Sequence, residues 1–111
     1  MRITIAKTVD RTPALEAYIE KKFAPLAKFI KIFDDKGVAE IWLDITRTTR
    51  RHRKGEMYVV AADLRLPKKI VRAEEYADDI RTAIDRAKDT LRFEIEKYKT
   101  KLVESRRGGR K

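Results

Sequence analysis

From residue 76 to residue 104 the chain runs without glycine or proline, and its apolar residues recur at Ile80, Ile84, Ala87, Leu91, Ile95, Tyr98 and Leu102. Steps of four and three keep one face of a 3.6-residue helix continuously apolar, so the spacing predicts one long amphipathic helix from Tyr76 to Glu104. At about 100° per residue, Arg81, Lys88, Arg92 and Lys99 form a basic row along one flank of that face. Asp78, Asp85, Asp89 and Glu96 form an acidic row beside it. Such a helix is marginal alone in water, so the rest of the chain must cover its apolar stripe.

The remaining pattern supplies the cover. Residues 2–8 alternate, with Ile3 and Ile5 on one side, and predict a short strand. Thr12 suits a helix N-cap, Pro13 the first helical position, and Glu16 is expected to complete a capping box. Leu15, Ile19, Phe23, Leu26 and Ile30 carry the apolar face of this first helix to about residue 32, with a kink or break near Ala24 because of Pro25. Residues 34–37 read as a turn. Ala39, Ile41, Leu43 and Ile45 then alternate with polar positions, as do Tyr58, Val60, Ala62, Leu64 and Leu66, giving two half-buried strands. A fourth short strand is expected at about 70–74. The order is β-α-β-β-β-α, an α+β fold in which three consecutive strands form an antiparallel meander and both helices pack on one face of a four-stranded sheet. Residues 1–104 make a single domain, and 105–111 read as a basic disordered tail.

Composition sharpens the picture. The 111 residues include 28 Lys and Arg against 18 Asp and Glu, a formal net charge of +10. That excess favours a polyanionic partner, nucleic acid first and an anionic membrane surface second. Cysteine is absent, which excludes disulfides and thiolate metal sites. Neither a membrane-length apolar run nor a signal-peptide core is visible, so a cytoplasmic location is expected, without a membrane partner.

Catalysis finds no support. His52 is the lone histidine and stands inside Arg-Arg-His-Arg-Lys, where neighbouring cations disfavour its protonated form and repel a metal ion; it reads as an exposed loop residue. The helix carboxylates each have a Lys or Arg three or four residues away, and ion pairing accounts for them. The sequence calls for no enzyme activity, cofactor, metal or small-molecule substrate. Binding is the better reading, although Asp85 with Lys88, Asp89 with Arg92 and Glu96 with Lys99 are spaced so that the two rows would also serve as a self-neutralised solvent face. The all-basic run of Arg47, Arg50, Arg51, Arg53 and Lys54, the tail cations Arg106, Arg107, Arg110 and Lys111, and Lys97 and Lys101 on the other flank of the long helix tilt the balance towards RNA. Trp42 is expected to face outwards and to pack on its neighbours rather than on a base.

Several segments carry a resemblance. Thr-Pro-Ala-Leu-Glu-Ala-Tyr-Ile-Glu-Lys-Lys (12–22), Leu-Arg-Leu-Pro (64–67), Arg-Ala-Glu-Glu (72–75) and Asp-Asp-Ile-Arg-Thr-Ala-Ile-Asp (78–85) are similar to signatures of the ribosome hibernation-promoting factors, also called ribosome-associated inhibitors. Lys97, Lys99 and Lys101 match that family's spaced lysines, and the likeness runs from residue 1 to about 103. The chain resembles the short form, without the further C-terminal domain of longer relatives. Membership implies a fold like a double-stranded-RNA-binding domain. It also implies docking on the small ribosomal subunit, within the whole ribosome, where messenger and tRNA anticodon stems would lie, so that occupancy blocks translation. The free protein is expected to be a monomer. Arg81 stands in place of the family's usual tyrosine, Thr90 and Phe93 stand where relatives often carry Lys and Arg, and Pro25 where many have Lys. The expected rRNA contacts are Lys21, Lys22 and Lys28 on the first helix and Arg81, Lys88, Arg92, Lys97, Lys99 and Lys101 on the long one. The alternative is a general RNA-binding or RNA-chaperone module, which would bind isolated duplex RNA as tightly as small subunits. A protein-binding or membrane-surface module fits less well, because the apolar face of the long helix is committed to the core.

Overall fold

The computed structural model describes residues 1–48 and 57–108, for 105–108 the backbone alone. Strand β1 (Arg2–Thr8), helix α1 (Pro13–Phe23), a 3-10 segment (Ala24–Phe29), β2 (Glu40–Thr48), β3 (Met57–Leu66), β4 (Lys69–Ala77) and helix α2 (Ile80–Gly108) follow in order. The four strands form one sheet in the order β1-β2-β3-β4. β1 pairs parallel with β2, and β2-β3-β4 is the expected antiparallel meander. A parallel neighbour requires a crossover, and α1 with the 3-10 segment provides it. Of the basic connection expected at residues 47–55, Arg47 and Thr48 belong to β2, where they pair with Tyr58 and Met57, and 49–55, with His52, lie outside the described residues, as do residues 109–111 of the expected tail.

Alternation decides which face of the sheet is covered. Ile41, Leu43, Ile45, Val60, Ala62, Leu64, Leu66, Val71, Ala73 and Ala77 are buried on the inner face. The outer face carries Trp42, Asp63, Arg65, Arg72 and Glu74. Trp42 behaves as expected for an outward aromatic packed on a neighbour, since the Arg65 guanidinium lies 4.3 Å from its ring centroid.

The first helix starts as its sequence dictates. Thr12 Oγ1 accepts a hydrogen bond from the Leu15 amide at 3.1 Å, and Pro13 fills the first turn. Glu16, however, does not complete a capping box. The third helical position after Thr12 is Leu15, and Glu16, one residue later, turns its carboxylate to Arg11 at 3.4 Å. Pro25 ends the α-helix because it offers no backbone N–H to continue the ladder; Ala24 before it keeps helical angles (φ −55, ψ −39), and the chain tightens into the 3-10 segment after Phe23. Leu15, Ile19, Phe23, Leu26 and Ile30 remain on one buried face across that change. The following turn is held by Asp34, a buried carboxylate that accepts from the amides of Val38 and Ala39, both at 2.8 Å. Gly37 closes it at φ 67, a conformation that costs glycine little.

The largest departure from expectation is the boundary between β4 and α2. The strand runs on to Ala77, because Tyr76 and Ala77 pair with Val59 and Tyr58. The helix therefore begins at Ile80, not at Tyr76, and Asp78 precedes it rather than joining the acidic row. Asp79 caps the helix, accepting from the Thr82 amide at 3.0 Å. Helical backbone continues to Gly108, past the Glu104 boundary expected from the sequence. Ala83, Ile84, Ala87, Leu91 and Ile95 are fully buried on the inner stripe.

Leu91 sits at the centre of that stripe with no solvent exposure. Leu91→Ala should cost about 2–5 kcal/mol, read as a lower urea midpoint at unchanged slope. An unchanged midpoint would mean that α2 presents another face to the sheet.

Candidate nucleic-acid interface

Two helices on one sheet face leave a seam between them, and the polar edges of both stripes meet there. Tyr18, at the margin of the apolar face of α1, is half-buried and donates its hydroxyl to Asp85 Oδ1 of α2 at 2.7 Å. Lys22 Nζ, one turn along α1, lies 3.6 Å from the same oxygen. The Arg81 guanidinium, one turn before Asp85, sits 4.6 Å from the centroid of the Tyr18 ring. Further along α2, Arg92 lies over the Phe29 ring at 4.6 Å, and between them Lys88 Nζ contacts Asp89 at 2.6 Å. The row of Arg81, Lys88 and Arg92 thus runs beside α1 and its 3-10 continuation, each arginine resting on an aromatic ring from that side.

The electrostatics follow from this packing. The Asp85 carboxylate holds the Tyr18 hydroxyl proton, and burial and the nearby negative charge add to it, so the Tyr18 pKa is pushed up to about 12. At neutral pH the phenol is therefore a fixed donor. Asp85 is occupied from the α1 side by Tyr18 and Lys22, which leaves the outer N–H groups of Arg81 and Arg92 available to an anion. A guanidinium resting on an aromatic face keeps its in-plane donors.

The nine cations expected to contact RNA do not form one patch. Lys22, Arg81, Lys88 and Arg92 line the seam, and Lys99 continues the row two turns beyond Arg92 on an exposed surface. Lys21 and Lys28 are exposed, and Lys21 projects about 100° around α1 from Lys22. Lys97 and Lys101 lie on the opposite flank of α2, beside β4, where with Lys69, Arg72, Glu94 and Tyr98 they border an open pocket of about 370 Å³. Lys97 pairs there with Glu94 at 3.5 Å. Thr90 bonds Glu75 of β4 at 2.8 Å and ties helix to strand.

Tyr18 and Phe29 were not visible as functional residues in the sequence. Their only signal is position, each an aromatic beside rather than within the apolar stripe. A second cluster had no local signal at all. Asp10, at φ 52, pairs with Arg47 and accepts from the Tyr58 hydroxyl at 3.2 Å, and Arg47 holds its carboxyl below the usual range. No group of three or more His, Cys, Asp or Glu among the described residues is arranged to hold a metal. No helix among them is long and apolar enough to cross a membrane.

Residues 3–103 match the family described as sigma 54 modulation protein / S30EA ribosomal protein. A ribosome hibernation promotion factor of Deinococcus radiodurans is 32% identical over 104 residues, covering 94% of this chain and 51% of that protein. The factor of the same name from Bacillus subtilis is 29% identical over 86% of this chain and 47% of its own length. This chain thus spans about half the length of the curated relatives it matches. Among solved structures, the N-terminal domain of Thermus thermophilus Protein Y superposes with a TM-score of 0.65 at 26% identity, over 86% of this chain and 98% of that one. A ribosomal subunit interface protein from Coxiella burnetii gives 0.63 over 90% and 99%; at 22% identity it speaks for the fold alone.

The Tyr18–Asp85 bond yields a pH-dependent prediction. A tyrosine raised from about 10 in the unfolded chain to about 12 in the fold stabilises the protein fully below pH 10, and that contribution is lost as pH rises to about 12. Tyr18→Phe should lower stability by about 1 kcal/mol at pH 8, and the gap from wild type should close by pH 12. Urea midpoints at the two pH values measure it; a gap that does not change with pH would assign the loss to packing instead.

Proposed function

The chain belongs to the sigma 54 modulation protein / S30EA ribosomal protein family, and from that premise we propose that it silences ribosomes by occupying the small subunit near the decoding region, where it excludes messenger and tRNA. The α1–α2 seam is the rRNA-binding surface. The observation that carries this reading is the row of Arg81, Lys88 and Arg92, propped from the α1 side by Tyr18 and Phe29. Pre-positioned cations neutralise phosphates with little ordering of their own side chains, and the acids beside them serve as struts. The reaction is occupancy: counterions leave, the channel fills, and no bond is made or broken.

Affinity for small subunits should fall with rising salt, with a log–log slope of about −0.7 to −0.9 per phosphate neutralised. The test is a folded Arg81→Ala, Lys88→Ala, Arg92→Ala variant compared with a chain cut after Glu104, both in co-sedimentation with small subunits and in translation assays. The triple variant should bind weakly, with a slope shallower by about 2–3, while the cut chain still binds. Normal binding by the triple variant and none by the cut chain would make the seam a solvated face. Equal affinity of the wild type for isolated duplex RNA and for small subunits would favour a general RNA-binding module.

A further inference from the structure

Strand β4 is an open edge of the sheet, and its outward residues read Ile70, Arg72, Glu74, Tyr76. Reversed and laid against itself about Ala73, this series puts Ile70 opposite Tyr76 and Arg72 opposite Glu74, each pair twice. We propose that β4 is a self-recognition edge, through which a second copy of this chain pairs antiparallel to make one continuous eight-stranded sheet.

Backbone parity supports that register. Leu66 and Lys69 flank a two-residue turn, so they form the hydrogen-bonded pair that closes the hairpin. Bonding then alternates along the ladder. Lys69, Val71, Ala73, Glu75 and Ala77 spend their backbone groups on β3, whereas Ile70, Arg72, Glu74 and Tyr76 turn theirs to the edge, where the Tyr76 carbonyl accepts from the Arg86 guanidinium at 2.6 Å. Pairing about Ala73 matches these edge-facing residues with one another as hydrogen-bonded pairs, Arg72 with Glu74 and, once Arg86 yields the Tyr76 carbonyl, Ile70 with Tyr76. A shift of the register by one residue would set free backbone groups against used ones.

The side chains agree with the backbone. Ile70 and Tyr76 are exposed, at 49% and 46%, two of the large apolar residues that the fold leaves in water. The proposed register covers each with the other. Arg72 already has Asp63 at 3.4 Å on its β3 side, and Glu74 of the second copy would complete its other side. Glu74 stands across from Ala61, which offers it no charge. In a chain of net charge +10, the four charged residues of this strand, Lys69, Arg72, Glu74 and Glu75, sum to zero. The strand's own charges thus add no net repulsion between two such cationic molecules, while Lys97, Lys101 and Arg86 of α2 flank it. β4 has no proline, and its inward-facing charges are engaged within the fold, Glu75 with Thr90 of α2 at 2.8 Å and Lys69 over the Tyr98 ring at 5.6 Å. The α1–α2 seam is on the far flank of α2 and is not used, so the inference does not depend on the proposed function.

Charge reversal tests it. Sedimentation equilibrium of the full chain across micromolar to millimolar concentrations should show a monomer–dimer equilibrium. Glu74→Arg sets arginines against each other at two symmetric positions and should raise the dimer dissociation constant by about tenfold or more. Arg72→Glu should do the same, and the doubly reversed chain should recover wild-type association, with circular dichroism confirming that each variant is folded. A wild type that stays monomeric throughout, as the sequence led us to expect, would overturn the proposal. So would a dimer indifferent to Glu74→Arg.

Discussion

The central strands of this sheet bury one side in the core and leave the other to water, and that asymmetry dictates where everything else goes. Ile41, Leu43, Ile45, Val60, Ala62 and Leu64 are wholly buried on the inner face, while the outer face keeps Arg65, Arg72 and Glu74 in water. Both helices must lie on the same face to cover that surface. Two helices side by side on one sheet have a seam, and the seam is where the polar margins of their stripes are forced together. The cationic row of α2 is therefore placed by the core, not by attraction between charges.

Within the seam, aromatic residues and acids do the positioning. Tyr18 bridges to Asp85, Lys22 joins the same carboxylate, and Arg81 lies on the tyrosine ring. Phe29 repeats the arrangement beneath Arg92. Exposed ion pairs of this kind contribute little to stability. Their consequence is geometric: long, entropically expensive side chains are held in a line before any partner arrives, which lowers the ordering cost of binding.

Much of the fold was legible because its signals are periodic. The alternation around Ile41 and Val60, the Thr12-Pro13 start and the break at Pro25 each act within a few residues, and each element formed where those signals lie. The boundary at Tyr76 was misread because Tyr76 and Ala77 fit either period; the pairing of Ala77 with Tyr58, nineteen residues away, decided for the strand. The candidate site was legible in the spacing of its cations and illegible in its supports. The row of Arg81, Lys88 and Arg92 follows from helical spacing, yet its meeting with Tyr18 and Phe29 depends on how α1 lies against α2. Asp10 and Arg47 are further apart still, and nothing local announces their contact. Spacing set Lys97 and Lys101 on the other flank of the long helix, but that this flank faces β4 depended on packing.

The central claim is that the seam, not the outer sheet face or the turns, meets the ribosome. Acetylation of lysines in the free protein and in its complex with small subunits, read residue by residue by mass spectrometry, tests it without altering the chain. The account predicts that Lys22 and Lys88 become protected on binding while Lys36 and Lys68, in the turns before β2 and between β3 and β4, react as before. Protection of Lys36 and Lys68 with Lys22 and Lys88 unchanged would contradict it.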